Sequence, residues 1–198
     1  VERLGGNYTS FSQDIQTNMA EWLNPYDLPE DDEQRRLHLG RYNWAKEHIK
    51  GSVVANAACS CNYGYSILND GTRLVIGFDR NPVGLNLARS SGADLVIEKD
   101  IQTYSFQGFT TLVCLETFEH LRDPWSFLRN LSLSVNELVL STPIIPTKHF
   151  NEWHLHDFTE REVLDGLKEN GWKIERTAYQ DEDQFLPNHT YILVYATR

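Results

Sequence analysis

No stretch of the 198-residue sequence approaches the roughly 18 to 20 consecutive apolar residues that a membrane-spanning helix needs. The opening residues, Val1-Glu2-Arg3-Leu4-Gly5-Gly6, lack a basic segment followed by an apolar run, so a secretory leader is not expected and the cytoplasm is the expected compartment. Cysteine is scarce. Cys59, Cys61 and Cys114 form no even set and have no second Cys/His pair at zinc-finger spacing, which leaves buried, reduced thiols as the reading. Basic charge is also short: 18 Lys and Arg against 28 Asp and Glu give a net charge of -10. Apart from Arg35-Arg36 no cluster of cations offsets it, so a nucleic-acid substrate is disfavoured.

The sequence does contain enough for one substantial core, with 40% hydrophobic and 12% aromatic residues and a length short of two full domains. From Ser52 onward, β-rich runs alternate with helical patterns, as in βαβ units around a largely parallel sheet. Strands are expected at Ser52 to Ala55, Arg73 to Phe78, Leu95 to Ile97, Thr111 to Leu115 and Glu137 to Ser141. Helices are expected at Tyr63 to Asn69, Pro82 to Ser90 and Pro124 to Leu131, with Asn81 and Asp123 as N-caps before a first-turn proline. A loop rich in proline, histidine and aromatic residues, Thr142 to Phe158, precedes a helix that opens on a Thr159/Glu162 capping box and stops at Gly171. Lys173 to Tyr179 and Thr190 to Ala196 then form a hairpin-like return. The expected fold is α/β: a Rossmann-like, doubly wound, seven-stranded sheet, mostly parallel with an antiparallel last strand. Residues 1–50 read as an N-terminal helical cap on the domain formed by residues 51–198, with a helix over Asp31 to Ile49 packing across the sheet.

In such sheets a ligand binds beyond the carboxyl ends of the strands, where the strand order reverses, and the first strand-to-helix turn makes the tightest contacts. That turn is Asn56-Ala57-Ala58-Cys59-Ser60-Cys61-Asn62-Tyr63-Gly64, unusually poor in glycine. The second strand ends in Ile76-Gly77-Phe78-Asp79-Arg80, which places a carboxylate where these folds bind ribose hydroxyls.

The turn resembles motif I of class I S-adenosylmethionine-dependent methyltransferases, commonly Asp-x-x-Cys-Gly-x-Gly-Tyr-Gly. Asn56 stands at the acidic position, Ala58, Ser60 and Asn62 stand where glycines are usual, and Tyr63-Gly64 is retained. Lys99-Asp100-Ile101 resembles the family's adenine-contacting segment, which implies that Asp100 accepts from the exocyclic amine and Ile101 packs on the ring. Leu115-Glu116 through Leu121 and Asp123-Pro124 resemble motif IV and its continuation, with Thr110 replacing a frequent aspartate for structural reasons. His38, Arg41 and Tyr42 resemble a His-x-x-Arg-Tyr segment whose Arg and Tyr close over the cofactor carboxylate, a role suited to a charge-assisted guanidinium pair. The resemblance implies S-adenosyl-L-methionine as cofactor, with Asp79 and Arg80 at its ribose.

Methyl transfer to a hydroxyl requires alignment of the acceptor and removal of a proton. The candidate bases are His120, His154 and His156, and a small-molecule acceptor methylated on oxygen is the leading expectation. Glu116, Glu119 and His120 also reproduce a Glu-x-x-Glu-His arrangement that some relatives use for a divalent metal, with a loop histidine completing the set. Many members carry similar residues without metal, so no metal is the primary expectation. Two alternatives stay open: a binding or scaffold protein that has lost catalysis, and a metal-dependent RNA methyltransferase, which the charge disfavours. Oligomeric state is open.

Overall fold

The computed structural model describes residues 24–93, 95–131, 133–144, 153–183 and 186–198. The first 23 residues of the expected cap and residues 145–152 of the long loop lie outside the described residues. Seven strands, β1 (Val53–Ala57), β2 (Leu74–Asp79), β3 (Val96–Glu98), β4 (Thr111–Leu115), β5 (Glu137–Pro143), β6 (Lys173–Asp183) and β7 (Leu186–Thr197), form one sheet in the order β3-β2-β1-β4-β5-β7-β6. Strands β1 to β5 pair in parallel, and β7 runs antiparallel to both β5 and β6. The chain winds outward from β1 to β3 and then crosses back to β4, so the crevice of the doubly wound fold opens between β1 and β4.

The described helices are α1 (Glu33–His48), α2 (Tyr65–Leu68), α3 (Pro82–Ser90), α4 (Pro124–Arg129) and α5 (Glu160–Glu169). Every residue of β4 and β5 is buried, as parallel strands covered on both faces must be. One core is aromatic, joining Phe78, Phe106, Phe109, Phe118, Phe127 and Trp172. In the other, Tyr42 and Ala45 of α1 pack with Val54, Val113, Val139 and Tyr195 of the sheet.

Local signals set the helix ends. Asn81 and Asp123 accept from the backbone N–H of Val83 and Ser126 at 2.9 and 2.8 Å, each ahead of a proline. The Thr159/Glu162 capping box is reciprocal, and Gly171 follows α5 with φ at +83°. Helix α1 starts two residues after the expected Asp31, because the Asp32 side chain accepts from the N–H groups of Gln34 and Arg35. The helix after β1 starts at Tyr65, not Tyr63, because residues 58–64 are consumed by tight turns. Strands β6 and β7 run longer than expected. β7 pairs with β5 only as far as Tyr191 opposite Pro143, and beyond that point the two last strands pair with each other. Among the described residues no helix is long and apolar enough to cross a membrane.

Candidate functional site

The loop after β1 keeps a glycine-type path without glycines. Ala58, Ser60 and Asn62 have φ of +52°, +51° and +55°, the left-handed region that disfavours a Cβ by roughly 1–2 kcal/mol per residue. The path is held from below. Ser60 N donates to Asp79 Oδ2 at 2.7 Å, Cys59 N to the Phe78 carbonyl at 3.0 Å, and Asn56 Nδ2 to Asn62 Oδ1 at 3.0 Å. Tyr42 Oη donates in turn to Asn56 Oδ1 at 3.2 Å. Asn56 is 0% exposed, so the position expected to touch the cofactor is an internal brace between α1 and the loop. Its neutral amide can donate to Asn62 while accepting from Tyr42, a pairing that an ionised carboxylate could not make. Gly64 is required by packing, since a Cβ there would lie 2.1 Å from Tyr42 Cε1. Two buried polar atoms of the loop, Ser60 Oγ and Asn62 Nδ2, have no hydrogen-bond partner among the described residues. Cys59, Cys61 and Cys114 are free and buried, and burial pushes all three thiols up, in keeping with inert reduced thiols.

The carboxyl ends of β2 and β3 carry the next candidates. Asp79 is half-buried and accepts from Ser60 N and from Asn81 N at 2.8 Å, which leaves carboxylate lone pairs over. Arg80 beside it is exposed. Asp100 is exposed and caps the short turn Ile101–Thr103 by accepting from Gln102 N at 2.9 Å. Ile101 departs from expectation: at 6% exposure it belongs to the aromatic core, because an apolar side chain gains more from that core than from an open crevice. Leu115 is likewise a core residue. Thr110 is structural as expected, its hydroxyl bonded to both the N–H and the carbonyl of Val53.

Around Arg41 a set of polar and aromatic side chains meets. Arg41 is 3% exposed, donates through Nη1 to Gln180 Oε1 at 2.9 Å and lies over the Tyr191 ring, 5.0 Å from its centre. Its Nε is 3.8 Å from Glu116 Oε1, which also accepts from Ser141 Oγ at 2.6 Å. His38 Nδ1 is 3.0 Å from Tyr63 Oη, and burial, helped by the Arg41 charge, lowers the His38 imidazole from 6.5 to about 3. The Tyr63 phenol is pushed up by burial.

One turn past β4, Glu119 is 1% exposed, and burial followed by the Glu116 charge pushes its carboxyl well above the usual range. Thr142 Oγ1 donates to Glu119 Oε2 at 3.0 Å. His120 donates from Nδ1 to the Trp153 carbonyl at 3.1 Å, lies 3.8 Å from Glu119 through Nε2, and meets the His154 ring edge-on at 4.8 Å. One ligand atom from each of Glu119, His120 and His154 falls within a 4.8 Å cluster. Glu116, expected in the metal set, is outside that cluster because Ser141 and Arg41 hold its carboxylate, and the loop residue His154 takes its place. His156 is anchored elsewhere, donating from Nε2 to the Leu121 carbonyl at 2.8 Å and stacking on Phe158. Gln180 and Tyr191 were not foreseen from sequence. They reach the site from the β6–β7 hairpin, and no local motif marks them.

No family model and no curated protein sequence matches the chain. Solved structures do match. Magnesium protoporphyrin IX methyltransferase from Synechocystis, with bound S-adenosylhomocysteine, superposes with a TM-score of 0.69 at 16% identity over 96% of this chain and 94% of that one. The N-terminal domain of EvdMO1, also with S-adenosylhomocysteine, gives 0.64 at 14% identity over 98% and 99%. The small RNA methyltransferase HEN1 gives 0.66 at 16% identity over 86% of this chain and 26% of that one. The fold is that of the class I S-adenosylmethionine-dependent methyltransferases. In doubly wound sheets of this kind the ligand position is the crevice at the carboxyl ends of the strands where the order reverses, here between β1 and β4.

Proposed function

We propose that this chain is an S-adenosylmethionine-dependent methyltransferase acting on an oxygen of a small-molecule acceptor. The observation that carries the reading is Arg41: a buried guanidinium with one hydrogen-bond acceptor among the described residues, at the switch point of this fold. With Nη1 bonded to Gln180 and Nε 3.8 Å from Glu116, the guanidinium keeps further N–H donors that suit a second anionic partner, and the methionine carboxylate of the cofactor is one. The remaining lone pairs of Asp79 suit ribose hydroxyls, and exposed Asp100 offers an acceptor at the next strand end. The left-handed loop keeps the chain path of the glycine-rich turn. When bound, the cofactor supplies an electrophilic methyl group. On the acceptor side His120 and His154 stand together, and histidine is the side chain suited to taking a hydroxyl proton near neutral pH. The net charge of -10 supports a small acceptor over RNA. Of the 1–50 cap expected from sequence, α1 lies within the described residues and carries Arg41 and Tyr42 to the crevice.

Isothermal titration with S-adenosylmethionine and S-adenosylhomocysteine tests the reading. Micromolar binding that Arg41→Met weakens at least tenfold is expected, and absence of binding at millimolar cofactor sinks it.

A second reading concerns a divalent cation held by Glu119, His120 and His154, favoured by their 4.8 Å clustering. Mixed nitrogen and oxygen donors suit a transition ion, which would orient the acceptor hydroxyl. Cobalt(II) is expected to give visible absorption bands with the wild type that His154→Ala abolishes. Identical spectra for the two proteins would rule the site out.

A further inference from the structure

Gln180 reaches α1 with both ends of its amide, from 139 residues away along the chain. Its Oε1 accepts from Arg41 Nη1 at 2.9 Å, and its Nε2 donates to the Leu37 carbonyl at 3.2 Å, one helical turn earlier. The seat for this amide is built into the helix. A Cβ at Gly40 would lie 3.1 Å from Gln180 Nε2, and glycine inside a helix costs about 1 kcal/mol relative to alanine. Gln180 and Tyr191 are cross-strand partners in the β6–β7 hairpin, and both address the same guanidinium.

The chemistry of this cradle is specific. A glutamine amide fixes one N–H of the guanidinium without neutralising its charge, and an aromatic face stabilises the cation in the same way. The carboxylate paired with Arg41 among the described residues, Glu116, is 3.8 Å away and bonded to Ser141, so it does not saturate the arginine. A rigidly held, buried, still-charged guanidinium is what a planar carboxylate ligand needs for a directed pair.

Resting on the methyltransferase reading, we propose that Gln180 is a positioning residue: it holds Arg41 in the orientation that receives the cofactor's carboxylate, and so ties the β6–β7 hairpin to cofactor affinity. The test compares two nucleosides. S-Adenosylhomocysteine carries the carboxylate, whereas 5′-methylthioadenosine keeps adenine, ribose and sulfur but lacks the amino-acid end. By isothermal titration, Gln180→Met is expected to weaken S-adenosylhomocysteine about tenfold, the worth of one charge-assisted hydrogen bond, and to leave methylthioadenosine unchanged within about twofold. Gln180→Glu, which brings a competing carboxylate to Arg41, is expected to weaken S-adenosylhomocysteine further, again sparing methylthioadenosine. Should Gln180→Met fail to fold by circular dichroism, Gln180→Ala replaces it. Equal losses for both nucleosides, or no loss for either, overturn the proposal, as does a wild type that binds methylthioadenosine but not S-adenosylhomocysteine. A wild type that binds neither overturns the methyltransferase reading itself, which separates the two failures.

Discussion

Replacing Ser60 by glycine should make this protein more stable, and the gain can be worked from the loop. Ser60 sits at φ +51°, where a Cβ costs roughly 1–2 kcal/mol. Its hydroxyl is buried without a partner among the described residues, a burden of about 1–3 kcal/mol for an unsatisfied group. Glycine removes both, and the Ser60 N–H to Asp79 is kept because it belongs to the backbone. Against this stands the greater freedom of glycine in the unfolded chain, about 0.4–1 kcal/mol. The net gain is about 1–4.6 kcal/mol, or roughly 2–18 °C in melting temperature at about 2–4 °C per kcal/mol for a domain near this size. Ala58→Gly is the control. It shares the left-handed backbone at φ +52° but has no hydroxyl, so its net gain should be about 0–1.6 kcal/mol. Differential scanning calorimetry and urea unfolding of the two variants measure the difference. A lower melting temperature for Ser60→Gly would refute the strain argument, and equal gains for the two variants would refute the orphaned hydroxyl.

Acid should weaken the fold through His38. Its folded value of about 3 lies below its ordinary 6.5, so the unfolded chain takes up the proton first and stability is lost as pH falls from about 6.5 toward 3. By pH 5 the loss is at most about 2 kcal/mol, less any solvent screening of a half-buried ring. His38→Asn should therefore lose less melting temperature between pH 7 and pH 5 than the wild type, and parallel curves would contradict the assignment. Gly64→Ala drives a methyl into the Tyr42 ring and should cost about 1–3 kcal/mol in urea unfolding; a loss under about 0.5 kcal/mol would show that the ring can move aside. Thr159→Ala removes the capping box of α5 and should cost about 1 kcal/mol by the same measurement, with no change expected in cofactor binding.

What the sequence disclosed and what it hid divide along a physical line. Helix starts at Asn81, Asp123 and Thr159 were legible because a cap is settled within three residues by one side chain and one N–H. The mostly parallel sheet and Asp79 at the end of β2 were legible for a related reason, since alternation of apolar runs and helices dictates a parallel sheet and its carboxyl edge. Residues whose role depends on a distant partner were misread. Asn56 looked like a weakened ligand, yet Tyr42 and Asn62 claim it from both sides. Glu116 and Glu119 stand one turn apart, and which of them faces the histidines is decided by Arg41 and Ser141 on one hand and by Thr142 on the other, all from other elements. Gln180 had no signal at all, because a glutamine on an edge hairpin is indistinguishable from a solvated one until the helix it meets is in place.

Gly77, on the strand beneath the loop that follows β1, makes that loop's glycine-poor chemistry hard to undo. A Cβ there would lie 2.7 Å from Cys59 Sγ and 2.9 Å from Asn62 Nδ2, so the bulk that glycine would leave out of the loop is accommodated by bulk left out of the strand. The two positions are therefore epistatic. Asn62→Gly alone opens a void and strips Asn56 of its acceptor, whereas Gly77→Ala alone forces a collision. A lineage moving between this loop and a glycine-rich one must change both positions or pass through a less stable intermediate. The same coupling makes Ser60 and Ala58 open to glycine while Asn62 is locked in place.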